Sequence, residues 1–282
     1  MVSHYSKRAI TFPTDRLPAL AGIATDTAAL LNDTYVSGIW KKALHNGILY
    51  RSLGCIPSLE EPPVAKPLWN TVPSWSWAFL NTPIYFATTR HPPDTLTLCT
   101  IEALPSDNSQ PRILGITGTL MRMDWVKTSP ENVELQAFWK PAWDDPIFER
   151  AGTEGRVWDI CTQEDHWFAQ HCYALGRPYF DALLDQVFFM PVLFEGSQNP
   201  TVFRSFSQIS HCSRIIGLLL RKEVGKGRGV FQRVGTVEFR VRRRTDNALD
   251  MFTARMSRYQ SSVREEDFRS TEGTGAYTIW VR

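Results

Sequence analysis

No apolar run in this chain approaches the ~18 residues that a membrane-spanning helix needs. The opening stretch, Met1-Val2-Ser3-His4-Tyr5-Ser6-Lys7-Arg8, is not followed by the apolar core of a signal peptide. Cysteine is sparse and odd in number: Cys55, Cys99, Cys161, Cys172 and Cys212 are scattered. This predicts a reduced, cytoplasmic setting with the thiols as small buried hydrophobes. Charge of one sign is lacking too. The formal net charge is +2, which requires no anionic partner such as nucleic acid. Dinucleotide fingerprint, phosphate loop, kinase signature, zincin helix, haem-attachment motif and Gly-x-Ser-x-Gly elbow are all missing. Any chemistry is therefore expected to need no cofactor. No fixed-period repeat is present, which removes propellers and solenoids.

Aromatic residues are plentiful. They make up 12% of the chain and include ten Trp, which calls for a large core or an aromatic-lined pocket. The stretch Pro73-Ser74-Trp75-Ser76-Trp77-Ala78-Phe79 alternates strictly. Read as a strand, it places Trp75, Trp77 and Phe79 on one face and Ser74, Ser76 and Ala78 on the other. Asn81-Thr82-Pro83 is a turn signal, and residues 84–87 are expected to return as its hairpin partner.

Helical spacing of Leu17, Leu20, Ala21, Ala24, Ala28 and Leu31 predicts a helix over 15–30, capped by Thr14 or Asp15. A shorter helix is expected over 35–40 and a strand over 48–51. Short strands are expected over 95–103, 112–126 (one bent or two), 133–139, 156–161, 166–175 and 186–194. The segments 214–222 and 229–241 form a hairpin across Gly225-Lys226-Gly227-Arg228-Gly229. Residues 248–266 are polar and expected to be helical, and 276–281 close the chain as a paired strand. The fold class is thus α+β and β-rich: a mostly antiparallel β-barrel or sandwich with an N-terminal helical segment. One domain spans 1–282, with a helical segment at 1–50, a β-rich body at 70–241, and a helix and closing strand at 245–282.

Cys161, His166, His171 and Cys172 are metal-ligand types, but their spacing fits no common zinc pattern. On a strand, His166 and His171 point to opposite faces, which opposes joint ligation. One face of that strand holds Trp167, His171 and Tyr173. It has two readings: the wall of a small-molecule pocket with a hydrogen-bonding group, or a core-facing stripe, the commoner role for such residues. Cys172 and Cys212 lack the surroundings of a nucleophile. Glu164-Asp165 and Asp144-Asp145 sit in turn-like contexts. The basic run Arg240-Val241-Arg242-Arg243-Arg244 reads as a solvated strand end.

Tyr5–Ala24, Pro73-Ser74-Trp75-Ser76-Trp77-Ala78, and Gly217–Leu220 with Phe231–Thr236 together resemble fungal heterokaryon-incompatibility (HET) proteins. Gly38-Ile39-Trp40 and Gly47-Ile48-Leu49-Tyr50-Arg51 are similar as well. The match is to the region that follows the HET signature domain, which is expected to be absent from this chain. That region offers no catalytic residues to transfer. Similar stand-alone proteins occur in fungal natural-product clusters, some of them cyclases. The resemblance therefore implies a cofactor-independent cyclase acting on an apolar terpenoid or polyketide, in the specific case an intramolecular Diels–Alder pericyclase. Its expected site residues are His171 and Tyr173 as catalytic groups and Trp167, Trp75 and Trp77 as substrate walls, with no metal. The alternative is a non-catalytic protein-interaction module. A hydrolase or isomerase using His166 or His171 as base ranks third.

Overall fold

The computed structural model describes residues 2–8, 10–52, 72–79, 83–86, 95–105, 112–127, 133–137, 154–158, 187–195, 213–241, 249–250, 253, 263–273 and 275–282. The expected strand at 166–175 and most of the helix expected over 248–266 lie outside them.

The N-terminal segment holds helices α1 (Val2–Tyr5), α2 (Pro18–Leu31) and α3 (Leu44–Gly47). Helix α2 starts later than its sequence suggests. Thr14 and Asp15 belong to a separate 3-10 turn, Pro13–Asp15, and Pro18 opens α2 in the first turn, where its missing N–H costs little. Asn32 ends it in the left-handed conformation. The helix expected over 35–40 is a tight hairpin, β1 (Tyr35–Val36) with β2 (Ile39–Trp40). Ser37 and Gly38 both have positive φ, as a two-residue primed turn requires. A Cβ on Gly38 would sit 2.6 Å from the Trp77 indole nitrogen, so conformation and space both demand glycine.

Strand β3 (Tyr50–Ser52) pairs with β4 (Ile84–Phe86). Residues 84–86 therefore do not pair with 73–79, which is not a strand at all. Trp77–Phe79 is a 3-10 helix after a turn in which the Ser76 amide donates to Pro73. The Ser76 hydroxyl accepts from the Ala78 amide, a local bond that competes with any strand ladder. The alternation separates no wet face from a dry one, because residues 72–79 are all buried.

The body is one large sheet built from β5 (Thr95–Thr97), β6 (Cys99–Ala103), β7 (Leu114–Gly118), β8 (Met121–Lys127), β9 (Val133–Ala137), β10 (Glu154–Trp158), β11 (Val187–Glu195), β12 (Ser213–Lys222), β13 (Val230–Val241), β14 (Ser270–Glu272) and β15 (Ala276–Val281). Among the described residues all strand pairs of this sheet are antiparallel except β13 with β15. The β12–β13 hairpin and the terminal strand β15 form as their patterns predict.

The sheet curls into a nearly closed, seven-strand barrel. β6 pairs with β7, while β5, one residue upstream across Leu98, pairs with the far strand β11. Pro191 lies within β11 at a shift in register, so this proline marks a bulge as strand prolines do. The displaced Val192 carbonyl accepts from the Leu98 amide at 2.8 Å. Before the bulge, β11 pairs with β8 on that edge; after it, with β5. Leu114, Ile116, Phe188, Ile216, Leu218, Leu220, Phe231 and Ile279 are fully or almost fully buried and join Trp75 and Trp77 in one continuous core.

Candidate functional site

The two tryptophans proposed as substrate walls are reached through Ser74. Its hydroxyl accepts from the Arg233 amide at 2.9 Å and donates to the Arg282 carbonyl. The Ser74 amide also donates to Arg282, and the Tyr50 hydroxyl donates to the Ser74 carbonyl. Beside this knot lies Arg233, buried to 2% exposure. Its Nε donates to the Ile48 carbonyl at 3.0 Å. Its Nη2 donates to the Tyr50 carbonyl at 2.5 Å and to Thr236 Oγ1 at 2.9 Å. The guanidinium stands 3.7 Å from the centre of the Tyr50 ring, in cation–π contact. A register shift between Leu219 and Leu220 leaves Val234 as an extra residue. That bulge brings Arg233 and Thr236 to one side, whereas plain alternation separates residues three apart.

This centre ties the 48–50 segment, the Trp motif, β13 and the chain end together. Trp75 and Trp77 are both 0% exposed. Their indole N–H groups donate to the Arg112 carbonyl at 3.3 Å and the Gly38 carbonyl at 2.7 Å. Both rings pack the core, and neither lines the groove described next.

An open groove of about 350 Å³ runs between α1, α2, the β1–β2 hairpin, α3 and β4. Leu20, Ile39, Trp40 and Phe86 give it apolar walls, and Gly38, Ala43 and Gly47 keep it wide. Its polar groups among the described residues are Ser3, Thr27, Tyr35 and Asn46, and no described ionisable side chain other than the Tyr35 phenol lines it. Tyr35 packs against Trp40 with ring centres 4.9 Å apart. Burial pushes its phenol up to about 12, partly offset by the neighbouring Trp77 indole. At neutral pH it is a protonated donor. Tyr5 meets Trp77 edge-on from behind at 6.0 Å.

The groove can enclose an uncharged, largely apolar body and offer it a few hydrogen bonds. None of its described side chains is a general base near neutral pH. Among the described residues, no group of three His, Cys, Asp or Glu stands together as a metal site.

Trp167, His171 and Tyr173 lie outside the described residues, as do Cys161, His166 and Cys172. The sequence reading missed Tyr35 and Trp40 because it placed them on a helix. The available signal was Ser37-Gly38, a turn dipeptide flanked by aromatic and β-branched residues. No family model, curated protein or solved structure matches the chain.

Proposed function

We propose that the chain is a cofactor-independent cyclase that folds an apolar terpenoid or polyketide for ring closure, in the specific case by an intramolecular Diels–Alder reaction. One observation supports this reading: a groove of about 350 Å³ whose walls are apolar and aromatic and whose only ionisable group among the described residues is a phenol kept protonated. That volume lies within the range of ~300–1,000 Å³ common for small-molecule sites. A pericyclic step forms and breaks its bonds in one concerted rearrangement and needs no nucleophile or proton relay. Holding the two reacting ends in contact lowers the barrier through proximity. A hydrogen bond to a conjugated carbonyl lowers it further. His171 and Tyr173 remain proposed donors from the 166–175 segment.

The test is turnover by the purified chain of linear precursor extracted from a strain lacking the gene. A cyclic product at a rate flat from pH 6 to 9 is expected, because no described group in the groove titrates there (the interval is roughly that between free His and Tyr). Ala43→Phe, which fills the groove, is expected to abolish turnover. A bell-shaped profile would move the reading to acid–base chemistry.

A second reading has its own support. Helix α2 carries Asp26 as its only charged residue and exposes Ile23, Leu30 and Leu31, with Leu30 86% exposed. An exposed apolar helix face suits a protein-interaction module. Ile23→Glu with Leu30→Glu separates the two: it is expected to leave cyclisation intact and to remove only partner binding.

A further inference from the structure

We infer that Tyr35 is the hydrogen-bond donor that selects a carbonyl-bearing ligand in the groove. The inference rests on the groove being a small-molecule site and names the ligand class: an uncharged, mostly hydrocarbon molecule with a conjugated ketone, aldehyde or ester oxygen.

Four observations carry it. Tyr35 lines the groove on the β1–β2 hairpin, and its position there is set by the positive-φ turn at Ser37 and Gly38. Its ring is clamped against Trp40 on the paired strand, which limits the directions in which the hydroxyl points. The single N–H of the neighbouring Trp77 indole is taken by the Gly38 carbonyl at 2.7 Å, and an indole nitrogen accepts nothing, so Trp77 does not take the phenol's proton. Among the described residues nothing accepts that proton, and the oxygen is not among the buried atoms sealed from solvent without a partner.

The surrounding lining explains the choice of a neutral acceptor. Among the described residues no Lys, Arg or His lines the groove, so a carboxylate or phosphate entering here would meet no cation from them. An anion would lose its water with no opposite charge to replace it. A pure hydrocarbon would fill the walls but leave the phenol proton without an acceptor, at a cost. A carbonyl satisfies both the walls and the phenol. For a conjugated carbonyl, the same bond draws electron density toward the oxygen and activates the adjoining double bond.

Binding measured without turnover tests the inference. The probes are β-ionone, a terpenoid enone, and the deoxygenated hydrocarbon of the same skeleton, each titrated by tryptophan fluorescence. The infrared carbonyl band of bound β-ionone is read alongside. The wild-type chain is expected to prefer the enone and to shift its carbonyl band to lower frequency. Tyr35→Phe keeps the ring against Trp40 and removes only the hydroxyl. It is expected to weaken enone binding about 2- to 12-fold, the worth of one hydrogen bond, to leave hydrocarbon binding unchanged, and to abolish the band shift. Near-ultraviolet circular dichroism confirms that the variant is folded.

Equal weakening of both probes would reduce Tyr35 to a packing residue and overturn the inference. So would loss of enone preference in Asn46→Ala but not in Tyr35→Phe. Equal wild-type affinity for both probes with an unshifted band overturns the role of Tyr35 while leaving the groove as a ligand site. Failure of both probes to bind the wild type overturns the groove itself, and both readings fall together.

Discussion

Arg233→Met is the sharpest perturbation of the centre that organises this protein. Methionine keeps most of the buried stem and removes the guanidinium. The Ile48 carbonyl then loses the donor it holds at 3.0 Å, and Tyr50 loses a 2.5 Å bond to its carbonyl and the cation over its ring. The Tyr50 carbonyl keeps a weaker bond from Thr236 at 3.3 Å. A buried acceptor left without a partner costs about 1–3 kcal/mol. The cation–π contact adds about 1 kcal/mol. Against these stands the relief of no longer burying a cation, which is worth several kcal/mol when its pairing is poor. Here the fork makes three bonds to oxygen, so pairing is good and the losses dominate. A net destabilisation of about 2–3 kcal/mol is expected, between the unpaired-acceptor cost and the desolvation relief. Urea denaturation measures it as a lower midpoint at unchanged slope. Arg233→Lys is expected to fall between, because a point charge cannot span both carbonyls. A change below about 0.5 kcal/mol, or a gain, would show that desolvation of the cation outweighs its bonds. The account of Arg233 as a stabilising clamp would then be wrong.

Gly38→Ala is expected to cost about 2–3 kcal/mol from left-handed strain and a displaced Trp77, because its Cβ would meet the indole nitrogen at 2.6 Å; thermal denaturation reads it, and a neutral result would refute the turn. Burial raises the Tyr35 phenol from 10.0 to about 12 and the Cys99 thiol from 9.0 to about 12. Both groups ionise first in the unfolded chain, so the stability they contribute is complete below about pH 9 and is lost as pH rises toward 12. Urea midpoints across that range should fall, and the fall should shrink in Tyr35→Phe. The same buried thiol should resist iodoacetamide in the native chain at pH 8 and react after unfolding, read by peptide mass spectrometry. His171→Ala combined with Tyr173→Phe should lower cyclisation or alter product stereochemistry; unchanged turnover would remove both from the mechanism.

Secondary structure was legible where one local pattern had one physical solution. The β12–β13 hairpin follows from two apolar strands separated by a glycine-rich loop, and Gly225, Gly227 and Gly229 do take positive φ. Strand β15 alternates buried and half-buried residues along its length, as its sequence does. Helix α2 follows from its spacing, although Leu20 and Ala24 alone are buried on it. The Trp motif misled because serine is ambiguous. An alternating Ser reads as a wet strand face, yet Ser74 and Ser76 are buried and hydrogen-bonded to main chain. Only the partners decide between those cases.

The amino-acid order by itself determined the strand-rich class, the N-terminal helix and the long C-terminal hairpin, because hydrophobic period and turn residues act over a few neighbours. The tertiary structure alone decided that β5 closes the sheet onto β11, that Arg233 is buried, and that Tyr35 and Trp40 face a groove. These depend on contacts between residues far apart in the chain, such as Arg233 with Ile48 and Ser74 with Arg282. A local pattern carries no record of which distant carbonyl will meet a given donor. Gly47, which lines the groove, is followed at once by Ile48, whose carbonyl is held by Arg233 from strand β13, 185 residues further along the chain.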